Sequence, residues 1–163
     1  MGDTPQAIAY EVALRRLDSQ MSDIDIMENK AGVILGLAST LIAIFAGALV
    51  LAVDDLSTVA VASPFGVVTL GLYLYIMRIG LEAIRTGDWD EQPNWDDLLK
   101  FANDVDLESL RKWIAEGCVL SLHANLPKIQ QKAQAVNRSI QLTRWYTIVI
   151  ATGLFSVFVV SAA

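Results

Sequence analysis

Side chains that commonly carry covalent or acid–base chemistry are few in this sequence and lie far apart along it. His123 is the single histidine and Cys118 the single cysteine among 163 residues. A lone histidine near a helix end is most often a surface or capping residue, and Cys118 falls at an apolar helical position. The sequence contains no CxxC, HExxH, P-loop or glycine-rich nucleotide motif. We therefore predict no catalytic residues and no enzymatic activity.

Three carboxylates, Asp23, Asp25 and Glu28, precede the first apolar segment. Spacings of two and five residues scatter them around a helix, whereas the ligands of one metal ion must converge. A solvated charged face explains them better than a metal site. We therefore predict neither a metal nor a resident cofactor.

Glu28, Asn29 and Lys30 form the polar edge of the longest uncharged run in the chain. A lysine at this place can lay its methylene groups along lipid while its ammonium stays in water. Glu28 falls on an apolar helical seam, where a charge is costly unless it is paired, and Lys132 or Arg138 would be natural partners. The simpler interpretation of these three residues is an interfacial clamp that fixes the depth of the helix in the membrane. The alternative is a latch that a signal releases.

Three segments lack any charged residue: 31–53, 56–77 and 145–163. They are 23, 22 and 19 residues long, and about 20 helical residues cross a hydrocarbon core of about 30 Å. Three such helices in one small chain would leave too little protein to cover them in water. We therefore predict an all-α integral membrane protein with three transmembrane helices.

The basic residues are confined to two of the regions that flank these segments. All 12 Lys and Arg residues lie in 1–30 or 78–144, and the connection between the first two segments carries only Asp54 and Asp55. Because positively charged regions stay in the cytoplasm, this pattern predicts a cytoplasmic N-terminus. The net charge of −6 and the lack of a basic stripe argue against nucleic acid as a partner.

Apolar spacing predicts which helices continue beyond the membrane. Apolar positions alternately three and four residues apart run from Ala7 through Leu14 to Ile24 and then into the first apolar segment, which predicts one helix over about 5–53 with a heptad seam. A last helix with the same spacing is expected to begin at Pro127. We expect both helices to extend as a cytoplasmic stalk.

Along the chain, this pattern predicts three parts. Residues 1–85 form the N-terminal helix and a transmembrane hairpin, 86–126 a cytoplasmic loop with short helices, and 127–163 a cytoplasmic helix that continues into the third span. Pro64 is expected in the first turn of the second span. Asp106 is expected to cap a short helix.

Small and hydroxylated residues recur at helical spacing in the first span. In lipid, helices associate through close backbone approach at such residues. Hydroxyl groups can also bond back to their own helix, so their polarity alone does not indicate a pore. We predict a homo-oligomer, and we assign helix packing or pore lining to Gly32, Gly36, Ser39, Thr40, Ala43 and Gly47.

The run DIDIMENKAGVILGLASTLIAIF at 23–45 resembles the first-helix motif of the transmembrane effectors of Pycsar bacterial anti-phage defence. The similarity continues through the second span to Asn125, Lys132 and Val136, although Glu28 stands where the family more often has aspartate. The related SLATT effectors share the layout. The resemblance implies a protein of the bacterial inner membrane that senses a cyclic nucleotide, cyclic UMP or cyclic CMP, made by a separate cyclase. It implies that the membrane is then impaired by an oligomeric pore or by disruption.

A nucleotide needs a cation for its phosphate and a planar surface for its base. The ligand contacts that we predict are Arg78, Arg85, Trp89, Trp95 and Lys132, with Lys128 nearby. The alternative is that Arg78 anchors its helix at the membrane surface and that the two tryptophans only pack against other side chains. For the whole chain, the alternative function is a constitutive small ion-channel subunit or a membrane scaffold.

Overall fold

The computed structural model describes residues 4–52, 56–85, 89 and 105–161, without the side chains of 52 and 56–58. Three helices account for nearly all of these residues: α1 (Pro5–Ala52), α2 (Leu56–Ile84) and α3 (Leu107–Ser161). No strand occurs within these ranges. The all-α prediction is thus confirmed for the part of the chain described.

Polar side chains define where α1 and α3 begin. The Thr4 hydroxyl accepts a hydrogen bond from the Ala7 amide at 3.3 Å. Asp106 Oδ1 accepts from the amides of Glu108 at 2.9 Å and Ser109 at 3.0 Å, which satisfies two amides that have no partner within the helix. Hydrogen bonds from Ser109 lower the pKa of the Asp106 carboxyl, because they favour its charged form. The expected role of Asp106 as a cap is confirmed, but the helix that it caps is the 55-residue α3 and not a short one.

Two prolines lie inside helices and overturn two expected boundaries. Pro127 does not begin a helix but sits within α3, and Pro64 lies within α2 rather than in its first turn. A proline has no N–H, so the carbonyls of His123 and Ala60 lose their usual helical donors, at a cost of about 3 kcal/mol per proline. The apolar faces continue on both sides of each proline, and their packing outweighs the local penalty.

The chain forms two compact units, each made of separate segments. The polar unit comprises residues 1–26 and 86–132, and the membrane unit comprises residues 27–85 and 133–163. Helices α1 and α3 each contribute residues to both units.

All three helices are long and apolar enough to cross a membrane. Only 17%, 17% and 28% of their most apolar 18-residue windows is buried inside the protein. Large apolar side chains therefore point outward, among them Val67 at 73% exposure and Phe158 at 70%. A bilayer covers such surfaces, whereas water would penalise them. This outward exposure supports the prediction of a membrane protein.

Contacts within the membrane unit set the directions of its helices. Helices α1 and α3 run parallel, because their contacts advance together along both chains; the pairs are Ala31 with Val136, Ala38 with Tyr146, and Phe45 with Gly153. Helix α2 runs antiparallel to α1, as its contacts advance in opposite directions; the pairs are Ser39 with Tyr73 and Leu35 with Gly80. This up–down–up arrangement suits three successive membrane crossings.

Buried residues of the membrane unit recur every seven positions on each helix. The three series are Ala31, Ala38 and Phe45 on α1; Ala62, Thr69, Ile76 and Ala83 on α2; and Val136, Thr143, Ile150 and Val157 on α3. In the polar unit the expected seam of α1 is confirmed at Ile24, which is buried, but it is wrong at Leu14, which is 38% exposed while its neighbour Ala13 is buried.

Candidate functional site

Trp89 lies beside two lysine side chains of the polar unit. The ammonium nitrogen of Lys132 lies 5.3 Å from the centroid of the indole ring, and that of Lys128 lies 6.0 Å away. The two lysines are four residues apart on α3, so they project from the same helical face. The negative face of an indole ring attracts ammonium groups over such distances.

Lys132 is only 7% exposed. Burial of an ammonium is unfavourable unless neighbouring groups compensate it, and the indole of Trp89 provides part of this compensation. The result is a planar aromatic side chain held beside two positive charges. An anion with a planar group would find both of its partners here.

The residues predicted to contact a ligand are placed in different parts of the molecule. Trp89 and Lys132 lie together, and Lys128 joins them. Arg78 and Arg85 are exposed residues of the membrane unit. Trp95 falls outside the described residues.

The residues at the edge of the first apolar run, Glu28 to Lys30, are helical and belong to α1. Asn29 and Lys30 are exposed, and Glu28 is half-buried, on the continuous turns of α1. Half-burial suits the seam position expected for Glu28. Both the clamp and the latch stay predictions.

Five of the six positions of α1 that we assigned to helix packing or pore lining point away from the described part of the chain. A Cβ atom added to Gly32, Gly36 or Gly47 would meet no described atom within 4 Å, and Thr40 and Ala43 are exposed. Packing or pore lining by these five positions would therefore need a partner beyond the described residues, and it stays a prediction. The hydroxyls do bond back to α1, as expected: Ser39 donates to the Leu35 carbonyl at 2.8 Å and Thr40 to the Gly36 carbonyl at 2.9 Å.

Close packing inside the membrane unit uses other glycines. A Cβ on Gly80 would lie 2.5 Å from Leu35 Cδ2, and one on Gly153 would lie 3.1 Å from Phe65 Cβ. The sequence alone does not distinguish either glycine, because their role depends on which helices pack together. The spacing of small residues along a single helix carries no such information.

Tyrosines add polar links between the three helices of the membrane unit. The Tyr146 hydroxyl donates to the Ala38 carbonyl at 3.2 Å, which joins α3 to α1. The hydroxyls of Tyr73 and Ser39 lie 3.3 Å apart, which joins α2 to α1. Tyr73 thus faces the interior of the membrane unit, whereas Tyr75 is exposed.

Cys118 is buried. Burial raises the pKa of the Cys118 thiol, which disfavours the reactive thiolate. Among the described residues, no three His, Cys, Asp or Glu side chains converge in a way that could hold a metal ion. The aromatic and cationic cluster at Trp89, Lys128 and Lys132 is therefore the candidate site. Comparisons with known protein families, with curated proteins and with solved structures found no match for this chain.

Proposed function

We propose that this chain is a membrane effector of bacterial anti-phage defence that senses a cyclic pyrimidine nucleotide and then impairs the inner membrane. The observation that carries the proposal is the pair of ammonium groups 5.3 and 6.0 Å from the indole centroid of Trp89. Three helices able to cross a membrane and the resemblance to Pycsar effectors support it.

The cluster has the two chemistries that a nucleotide requires. An indole ring can stack on a pyrimidine base, which is worth about 1–3 kcal/mol per base in single-stranded nucleic acid complexes. Ammonium groups neutralise a cyclic phosphate through charge-assisted hydrogen bonds. Lys132 and Lys128 would bind the phosphate while Trp89 stacks on the base.

The continuity of α1 and α3 suggests how binding is transmitted. Both helices have residues in the polar unit and in the membrane unit. In the proposed mechanism, the nucleotide draws the lysines away from the indole, the polar unit repacks, and α1 and α3 carry the change into the membrane. The effector acts as a homo-oligomer with its N-terminus and polar unit in the cytoplasm.

Binding tests the site directly. Full-length protein in lipid nanodiscs is titrated with cyclic UMP and with cyclic CMP by calorimetry. Trp89→Ala, Lys128→Gln and Lys132→Gln are each expected to weaken binding by about tenfold or more, the effect of losing one charged hydrogen bond or one stacked base. Lys112→Gln is the matched control, since Lys112 is an exposed residue of the same helix that pairs with Glu116 at 3.9 Å. Equal affinities for all four variants would refute the site.

Expression with and without a pyrimidine nucleotide cyclase tests the activity. Membrane potential should collapse and growth should stop only when the cyclase is active. Depolarisation without nucleotide would instead support a constitutive ion-channel subunit. Unchanged potential under both conditions would support a scaffold.

A further inference from the structure

A groove runs between α1 and α3 in the polar unit, and its lining is distinct from the Trp89 cluster. Its volume is about 500 Å³, within the range of about 300–1,000 Å³ that small-molecule sites span. The lining residues of α1 lie between Ala9 and Gln20 at helical spacing, and those of α3 between Val119 and Leu126. The groove therefore lies along the faces that α1 and α3 present to each other in the polar unit.

Most of the wall is apolar, and its described polar side chains include basic but no acidic groups. Arg16, Ser19, Gln20 and His123 are the polar residues among those that line the groove, and none of the described lining residues is acidic. Apolar wall residues such as Val12 and Val119 remain 47% and 44% exposed. A groove with a guanidinium, an imidazole and apolar walls is complementary to an apolar molecule with one anionic group.

Gln20 supplies a second observation that points to an occupant. Its Nε2 donates to the Leu122 carbonyl at 3.3 Å, which is a long bond. Its Oε1 is buried and accepts no hydrogen bond from any described group. Buried polar atoms in proteins nearly always have partners, so this acceptor calls for a donor. Because Gln20 lines the groove, a donor on an occupant is the partner that we assign to this oxygen.

We infer that this groove binds a water-soluble organic acid that has an apolar body, one anionic group for Arg16 and one N–H or O–H donor for Gln20. A soluble ligand is favoured over a bilayer lipid, because the groove residues of α1 end at least ten residues before the uncharged run 31–53 begins. The inference does not depend on the nucleotide proposal, since the groove shares no residue with Trp89, Lys128 and Lys132.

The probe that we choose is 5-fluoroindole-3-acetate, which combines a carboxylate, an apolar ring system and an N–H donor. Full-length protein in lipid nanodiscs is titrated with it and followed by fluorine NMR line broadening. Arg16→Gln should weaken binding by about tenfold, the loss expected for one charged hydrogen bond. Arg15→Gln is the matched control, because Arg15 is the exposed neighbour that pairs with Glu11 at 3.5 Å and does not line the groove.

Two further comparisons separate a built site from general adhesion. Val12→Trp fills the groove and should abolish broadening, whereas Ile8→Trp adds the same side chain at an exposed position outside the lining. The neutral analogue 5-fluoro-3-methylindole should bind at least about tenfold more weakly than the acid, since it lacks the anion. Circular dichroism confirms that each variant keeps its helices.

Three results would overturn the inference. One is broadening no greater than with empty nanodiscs up to the solubility limit of the acid. Another is equal affinity for Arg16→Gln and Arg15→Gln. The last is equal binding of the acid and the neutral indole, which would mark simple partition into an apolar surface or into lipid.

Discussion

The hydroxyl of Tyr146 ties α3 to α1 within the membrane unit, since it donates to the Ala38 carbonyl at 3.2 Å. Tyr146→Phe removes this bond and keeps the ring. We expect a loss of about 0.5–1.5 kcal/mol in unfolding free energy, the net value of a buried hydrogen bond. Reversible unfolding in mixed micelles measures it. Tyr75→Phe, at a 41% exposed tyrosine, should cost much less, and equal losses would contradict this role.

Substitution of Glu28 tests whether the edge of the first span acts as a latch. The residue is half-buried, whereas Asp23 is exposed five residues earlier on the same helix. Removal of one partner of a buried charge pair typically costs about 3–5 kcal/mol, which is comparable to the free energy that moves a two-state equilibrium across most of its range. Glu28→Ala should therefore change nucleotide-dependent depolarisation strongly, and Asp23→Ala should change it little. Matching responses at equal expression would leave Glu28 as part of the interfacial clamp.

Glycines on the three helices separate packing within the chain from packing between chains. Gly80→Val and Gly153→Val should each lower folding stability by about 1–3 kcal/mol, because Leu35 and Phe65 occupy the space that the new side chain needs. Gly36→Val should leave the folding stability unchanged, since no described atom lies within 4 Å of its added Cβ.

The effect of Gly36→Val should appear in assembly instead. Native mass spectrometry from lipid particles would show a shift toward smaller species if this face joins subunits. Ligand affinity should be preserved. An intact oligomer with unchanged depolarisation would remove the α1 face from both packing and gating.

How far the helices could be predicted depends on whether the signal is local. The length of an uncharged run and the spacing of its apolar residues are properties of a continuous stretch of sequence. The candidate membrane-spanning helices and the buried positions Ile24 and Ala31 could therefore be predicted from the sequence. The path of α3 through Pro127 could not, because a local penalty is outweighed by distant contacts. The contact between Trp89 and Lys132 could be predicted only in part. The chemistry of the two side chains suggested a shared site, but only the fold brings them together.

The candidate groove illustrates what a sequence cannot predict at all. Arg16, Gln20 and His123 follow no recognisable motif, and only the packing of α1 beside α3 brings them to one groove. A gap between helices is a property of their packing. No spacing within either helix encodes it.

The charge distribution predicts the orientation of the whole protein, and labelling tests this prediction. Single cysteines are introduced at positions 55 and 90 in a Cys118→Ala background. We expect a membrane-impermeant maleimide to label position 55 from outside intact cells and position 90 only after the inner membrane is opened, because basic regions are retained in the cytoplasm. Labelling of both positions from the same side would contradict three crossings.

The seven-residue recurrence of buried positions also determines how the three spans wind. An ideal α-helix needs 3.6 residues per turn, so a seam that repeats every seven drifts by about 20° per repeat unless the helices coil around one another. Ala62, Thr69, Ile76 and Ala83 cover three such repeats on α2, which corresponds to a drift of about 60° that left-handed supercoiling must absorb. Inserting one residue in this stretch would turn everything beyond it by about 100° and point a buried face at lipid. Inserting seven would restore the register, so the length of these spans can change with least disruption in whole heptads.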